Sequence, residues 1–295
     1  MKEIYIDYEI KDFNYLSDIH ADFHIGEEQA IDSLVEQWME GVNKSEVLIV
    51  AGDISNNKLT FVEVFSFLAQ NWKYVFWVAG NHELYREKYQ ANIRPNKLDE
   101  LIEAVEPIDN LYLLDRNSVY IFANLVKMAG CNLWYNTDDP DVFNDILINI
   151  KDGEFIGMGY IEDEGAKDLA FYNKVIDDVD IFVSHVPVIN EFRYNNPSRF
   201  KSYYKKVKLR PGKTYVYGHN HKCKGMTILE IESVFLSRPV GYAPDKNYRI
   251  GYHKLWSCAK LQAWPLSGIA LVRKKSRLFL LFFWLGIEYI NICRF

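Results

Sequence analysis

The sequence predicts an α/β fold, and three observations carry that prediction. Short apolar runs alternate with amphipathic stretches over the first eighty residues, in the order strand–helix–strand–helix–strand. Residues that bind metals or carry protons follow three of those runs: Asp18 and His20, then Asp53, then Asn81 and His82. That is where open α/β sheets place their ligands. A chain of 295 residues, 49% apolar and holding 20 Tyr and 18 Phe, can also bury the core of one large α/β domain or two smaller ones.

Residues 2–10 alternate in part and read as a strand. Phe13 to Leu16 leads into Ser17-Asp18-Ile19-His20, a second strand, and the i, i+2 spacing of Asp18 and His20 points both side chains one way on extended backbone. Ile31, Leu34, Val35, Trp38 and Val42 form one apolar helical face. Val47 to Val50 is a strand ending in Ala51-Gly52-Asp53. Thr60 and Glu63 have capping-box spacing, ahead of a helix through Phe61, Val64, Phe65, Leu68 and Trp72. Tyr74 to Val78 reads as a buried strand, after which Gly80 supplies a sharp turn and delivers Asn81 and His82.

Leu98 to Val105 reads as a helix ended by Pro107. Strands are expected at Leu111–Leu114 and Val119–Phe122, before Met128-Ala129-Gly130-Cys131. The acidic stretch 134–165, Asp152 among its carboxylates, reads as surface loops or a small cap; a solvated face is the plainer alternative. Asp180–Val183 is a strand ending in Ser184-His185, followed by a polar loop with Arg193 and Arg199. Thr214–Tyr217 is a strand ending in Gly218-His219-Asn220-His221, and Met226–Ile231 with Val234–Leu236 suit an antiparallel pair.

Composition narrows the function. A net charge of −6 offers no general nucleic-acid surface. Cys131, Cys223, Cys258 and Cys293 match no zinc spacing and read as free thiols in a reducing compartment. With Lys2, Glu3, Asp7 and Glu9 so near the start, no secretory signal is expected, and the expected location is cytoplasmic.

Residues 256–295 carry six basic side chains against the single acid Glu288, which marks a boundary between a domain at 1–255 and an extension. Within the extension, 278–293 is apolar apart from Glu288 and Asn291, short of the roughly 20 residues that a spanning helix needs. Three readings stay open: packing on the domain or a partner, an extension whose sequence was not selected with the domain, and, less favoured, a membrane contact preceded by basic residues 273–277.

Five of the seven histidines (His20, His82, His185, His219, His221) stand at strand ends beside Asp, Asn or Gly. One such histidine is ordinarily structural; five sharing one kind of position point to a site. Imidazole suits Zn, Fe, Mn and Ni, and carboxylate and amide oxygens suit harder ions. Two cations about 3.5–4 Å apart call for a bridging anionic ligand, and a carboxylate has the two oxygens for it.

The ordered set Asp18-x-His20, Gly52-Asp53-x-x-Asn56, Gly80-Asn81-His82-Glu83, His185 and Gly218-His219-x-His221 resembles the calcineurin-like metallophosphoesterase superfamily. The resemblance implies a four-layer α/β/β/α sandwich with two central mixed β-sheets. It implies two divalent metal ions, of Mn, Fe, Zn or Ni. Asp18, His20 and His221 would hold the first, Asn81, His185 and His219 the second, and Asp53 both. His82 would be no ligand but the general acid at the leaving oxygen, and Asn81 would also reach the phosphate. Glu83 and Asp22 are candidates to orient the histidines, against a reading as surface charges.

The implied activity is hydrolysis of a phosphomonoester or phosphodiester in a small phosphorylated substrate or nucleotide, by water activated between the metals. A nuclease of the same superfamily and a non-catalytic metal-binding scaffold are the alternatives. After Asp53 the chain reads Ile54-Ser55-Asn56-Asn57-Lys58, without the arginine of the protein serine/threonine phosphatases. Gly130-Cys131-Asn132-Leu133-Trp134, with Asn144-Asp145 beyond it, resembles stand-alone bacterial and phage phosphohydrolases. Arg193 and Arg199 are candidates to meet substrate phosphate, against a reading as solvated loop arginines.

Overall fold

A computed structural model describes residues 1–23, 31–86, 97–148, 150–189, 204–221, 225–228, 233–242, 248–255, 269–274 and 277–282. Its frame is two sheets lying face to face. One strand shows why they form. Val47–Ala51 (β3) is apolar throughout and 0% exposed at every residue, as a strand covered on both faces must be. Val47, Ile49 and Ala51 face the second sheet, while Leu48 and Val50 face helices.

Among the described residues β3 pairs in parallel with Asp12–Leu16 (β2) on one side and Tyr74–Val78 (β4) on the other. Leu111–Leu113 (β5) adds a parallel edge beside β4, and Gly251–Lys254 (β12) an antiparallel edge beside β2. The second sheet runs β1-β6-β7-β8-β9-β11-β10. Its strands are Lys2–Ile6 (β1), Ser118–Phe122 (β6), Lys127–Cys131 (β7), Ile181–Ser184 (β8), Thr214–Tyr217 (β9), Gly225–Ile228 (β10) and Val234–Ser237 (β11). It is mixed: β6–β7 and β10–β11 are antiparallel, the other pairs parallel.

Ile31–Met39 (α1), Lys58–Asn71 (α2) and Lys97–Val105 (α3) cover the outer face of the first sheet, with Trp38, Phe61, Phe65 and Leu68 against Leu48, Val50 and Trp77. Met158–Val175 (α5) covers the second sheet through Phe171, Tyr172 and Val175 on Phe182, Tyr215 and Tyr217. Between the sheets, Phe13, Ile49, Phe76 and Val78 meet Met128, Ile181, Val183 and Val216. The expected four layers are therefore present, with parallel strands of both sheets ending at one shared edge.

Three local expectations are corrected. The spacing of Thr60 and Glu63 does not cap α2. Asn57 does, its side-chain oxygen accepting from the amides of Leu59 (2.9 Å) and Thr60 (3.2 Å). Asn57→Ala is expected to cost about 1 kcal/mol and lower Tm by roughly 2 °C in thermal unfolding followed by circular dichroism. α1 ends at Met39, short of Val42, whose amide closes a turn onto Met39 O. Of the two readings of 134–165, surface loops or a small cap, the loops are corrected: the stretch is largely helical, with Pro140–Ile148 (α4), a wide turn at Gly153–Gly157 and the start of α5. Val142, Ile146, Ile156 and Ile161 pack there against Leu84, Trp134 and Tyr135, so apolar burial wins over the acidic residues between them.

Toward the carboxyl end, Ile269–Lys274 (β13) and Arg277–Phe282 (β14) pair antiparallel. The boundary near Trp256 and residues 283–295 lie outside the described residues. Among the described residues no helix is long and apolar enough to cross a membrane.

Candidate metal centre

The loops leaving β2, β3, β4, β8 and β9 converge where the two sheets share their carboxyl edge. They bring together Asp18, His20, Asp53, Asn81, His82, His185, His219 and His221. The close approach of β3's loop to β4's is possible because residue 80 has no side chain. A Cβ there would lie 2.1 Å from Asp53 Oδ1. Gly80 is thus required for contact, not for a left-handed turn, since its φ is not positive.

Convergence does not come from strand alternation. β2 ends at Leu16, and Asp18, His20, Asp53 and His219 have φ of 52°, 44°, 57° and 65°. The i, i+2 pairs face one cavity through left-handed turns, a conformation that costs roughly 1–2 kcal/mol per non-glycine residue. Cross-loop hydrogen bonds hold it: Asp18 N to Gly52 O (2.9 Å), His20 N to Asp53 O (3.0 Å), and His219 N to Asp18 Oδ1 (2.9 Å). Backbone strain of this kind gathers at functional sites.

Asp53 sits at the middle, 2% exposed. The His82 amide donates to Oδ1 at 2.9 Å. Oδ2 faces His20 Nε2 at 3.6 Å and His185 Nε2 at 3.4 Å. His221 Nε2 lies 3.0 Å from His20 Nε2 and 3.2 Å from Asp18 Oδ1. On the other side, Asn81 Oδ1 lies 2.9 Å from His185 Nε2 and 3.2 Å from His219 Nδ1. Two groups of possible metal donors result: Asp18, His20, Asp53 and His221, and Asp53, His185 and His219, with Asp53 in both.

The chemistry fits cations. Carboxylate oxygens, an amide oxygen and imidazole nitrogens, the ligand types that divalent cations take, converge here at one buried place. His185 is already oriented for metal binding, because Ala51 O, 2.8 Å away, accepts from Nδ1 and turns Nε2 to the centre.

Electrostatics of the metal-free centre follow from burial and from Asp53. Burial works to lower His185, but Asp53 overrides it and raises that imidazole to about 10. Burial holds His20 down to about 4 and His219 down to about 3. Burial works to raise the Asp53 carboxyl, yet His185, His82 and His20 outweigh it and hold the carboxyl well below its usual range.

A pH dependence is expected from these shifts. From about pH 4 to 6.5 the unfolded chain binds protons that folded His20 and His219 refuse, so stability rises with pH. From 6.5 to about 10 folded His185 keeps a proton that the unfolded chain has released, so stability falls as pH rises. Thermal scans in chelator should peak at pH ~6.5; if His185 is a metal ligand, loading with Mn²⁺ would replace that proton and should remove the alkaline fall.

Among the described residues neither proposed orienting carboxylate hydrogen-bonds a histidine side chain. Glu83 is fully buried, not a surface charge, and accepts from four backbone amides: Asp53 (3.0 Å), Ile54 (2.7 Å), Ser55 (3.3 Å) and Gly80 (2.6 Å). Burial, with the Asp53 charge next in effect, raises its pKa. Asp22 accepts from the Asn56 amide (3.3 Å), and it is Asn56 that binds the histidine, its Oδ1 2.9 Å from His82 Nδ1. His24, Arg193 and Arg199 lie outside the described residues.

Residue-by-residue reading missed Tyr85, stacked on His82 with centroids 4.3 Å apart, and Tyr242, whose hydroxyl is 3.0 Å from His82 Nε2. It also missed Tyr135 and Asp152, which hydrogen-bond each other at 2.6 Å behind Asn81 and His219. Tyrosine is frequent in this chain, and neither it nor one more acid in an acidic stretch stands out as a site residue, so nothing local singled them out.

No curated protein matches the sequence. Among solved structures, phosphopantetheinyl hydrolase (PptH) from Mycobacterium tuberculosis superposes with a TM-score of 0.58 at 17% identity, covering 81% of this chain and 95% of that one. That likeness supports the fold. A cold-active protein-tyrosine phosphatase of a psychrophilic Shewanella sp. gives a TM-score of 0.29 at 11% identity over 79% of this chain and 72% of the other, too low to bear on it. The sequence model described as calcineurin-like phosphoesterase matches residues 13–223, a span that holds every donor from Asp18 to His221. With that span covering well over half of the sequence, the chain belongs to the calcineurin-like phosphoesterase family.

Proposed function

We propose that the protein is a binuclear metal-dependent phosphoesterase acting on a phosphomonoester or phosphodiester of a small molecule or nucleotide. The observation that carries the reading is Asp53 Oδ2, set between His20 Nε2 at 3.6 Å and His185 Nε2 at 3.4 Å, one carboxylate shared by two donor groups. Asp18, His20 and His221 would hold one divalent ion, Asn81, His185 and His219 the other, and Asp53 both. Bound there, such ions supply Lewis acidity and a water of lowered pKa.

The chain's own contribution to proton transfer falls to His82. Asn56 Oδ1 accepts from Nδ1–H and leaves Nε2 as the working end. Tyr242 hydroxyl faces that nitrogen, and the Tyr85 ring holds the imidazole plane. In its imidazolium form, with a second proton on Nε2, His82 can hand that proton to the leaving oxygen while staying outside the donor groups. The net charge of −6 favours a small substrate over a polynucleotide backbone. Cys131, a buried free thiol, fits a reducing, cytoplasmic setting.

The test is purified protein loaded with Mn²⁺, assayed on p-nitrophenyl phosphate, bis(p-nitrophenyl) phosphate and single-stranded DNA. Turnover of an aryl ester is expected. Inactivity on every phosphoester, with metal bound, would count against the assignment.

A further inference from the structure

Asp152 belongs to neither donor group, yet it is fully buried and its hydrogen bonds run toward one of them. Oδ1 accepts from Asn81 Nδ2 at 3.0 Å and from Tyr85 OH at 2.6 Å. Oδ2 accepts from Tyr135 OH at 2.6 Å, and that hydroxyl lies 3.1 Å from His219 Nε2. Packing keeps the assembly rigid: Tyr135 is buried with Ile146, Ile156 and Ile161 around it.

Counting protons gives this arrangement a direction. Burial pushes the Asp152 carboxyl up, while the hydrogen bonds from Tyr135, Tyr85 and Asn81 favour its charged form; ionised, it only accepts, and three donors meet it. Asn81 must therefore turn its amide nitrogen to Asp152, which sends its carbonyl oxygen the other way, toward His185 Nε2 (2.9 Å) and His219 Nδ1 (3.2 Å). Tyr135 has one hydroxyl proton and gives it to Asp152. Its oxygen is then left to accept from His219 Nε2–H, so the lone pair of His219 lies on Nδ1, the nitrogen beside Asn81 Oδ1.

We propose that Asp152 is a positioning residue for one half of the centre, fixing which end of Asn81 and which tautomer of His219 face the second cation. The inference rests on reading Asn81 and His219 as ligands of that cation. An asparagine at 152 removes the rule, because its amide donates as well as accepts and lets both neighbours turn. Partners of this kind are worth about 10–100-fold in metal affinity.

Calorimetric titration of the metal-free 295-residue protein with Mn²⁺, paired with electron paramagnetic resonance of the coupled Mn pair, tests it. The unaltered protein should take two ions. Asp152→Asn should keep one site at its original affinity, weaken the other by about 10–100-fold, and lose the coupled-pair signal at one equivalent excess. Tyr135→Phe, which removes only the hydroxyl, should weaken the same site and carries the test if Asp152→Asn does not fold.

Asp168 serves as control. It is also a buried aspartate, but binds Arg116 and the amides of Leu133 and Trp134, so Asp168→Asn should lower Tm and leave both sites unchanged. Two unaltered sites in folded Asp152→Asn, or equal weakening of both, would overturn the proposal while leaving the binuclear reading intact. Absence of any binding by the unaltered protein would overturn both.

Discussion

Asp53→Asn is expected to lower turnover on an aryl phosphate by about 10³-fold or more and to reduce bound metal below two equivalents. The substitution keeps the shape and can keep the hydrogen bond from the His82 amide. What it removes is the negative charge that faces His20 and His185. Several kcal/mol of transition-state stabilisation is ascribed to a metal pair, and each 1.36 kcal/mol is tenfold in rate, so loss of the shared ligand is costly. The same variant has a metal-free signature. Asp53 is the main group raising His185, so the alkaline fall in stability should shrink in Asp53→Asn. Metal analysis and initial rates at saturating Mn²⁺ check the first effect. Two metals and activity within tenfold of the parent would rule Asp53 out as the common ligand.

His82→Ala is expected to reduce kcat by roughly 10²–10⁴-fold, the usual worth of a positioned acid, with both metals retained. Retention has a structural basis. The contact from residue 82 to Asp53 is made by the backbone amide, which alanine keeps. The side chain hydrogen-bonds Asn56 and Tyr242, neither of them in the donor groups, and its ring only packs edge-on against His20, with centroids 4.4 Å apart. Loss of both ions from the variant would show His82 to be part of the binding site and remove it as the acid.

The parts of this fold legible in the sequence are those where burial is continuous. Tyr74–Val78 is a strand with the bounds that its apolar run suggests, because a strand buried on both faces has no polar positions to blur it. The donor residues were legible because each follows such a strand. How they converge was not. Alternation on extended backbone places Asp18 and His20 together for the wrong reason; a left-handed backbone does so, and nothing short of the structure reveals φ at a non-glycine residue.

Asp152 and Glu83 mark the other limit. Each is an acid in a stretch with other charges, and their burial depends on elements distant in sequence. Tyr85 and Tyr135 enclose Asp152, and the 52–55 turn encloses Glu83. A solvated carboxylate and a carboxylate that organises a centre look alike until those elements are in place.

Glu83 has one more consequence. By collecting amides from the turn at 53–55 and from Gly80, it ties two loops to a single point, so neither can drift without the other. The spacing between the loops that carry Asp53 and Asn81 is thereby fixed by protein alone. Entering ions meet a finished socket instead of assembling one, and the price of ordering those loops is met when the chain folds, before any ion arrives.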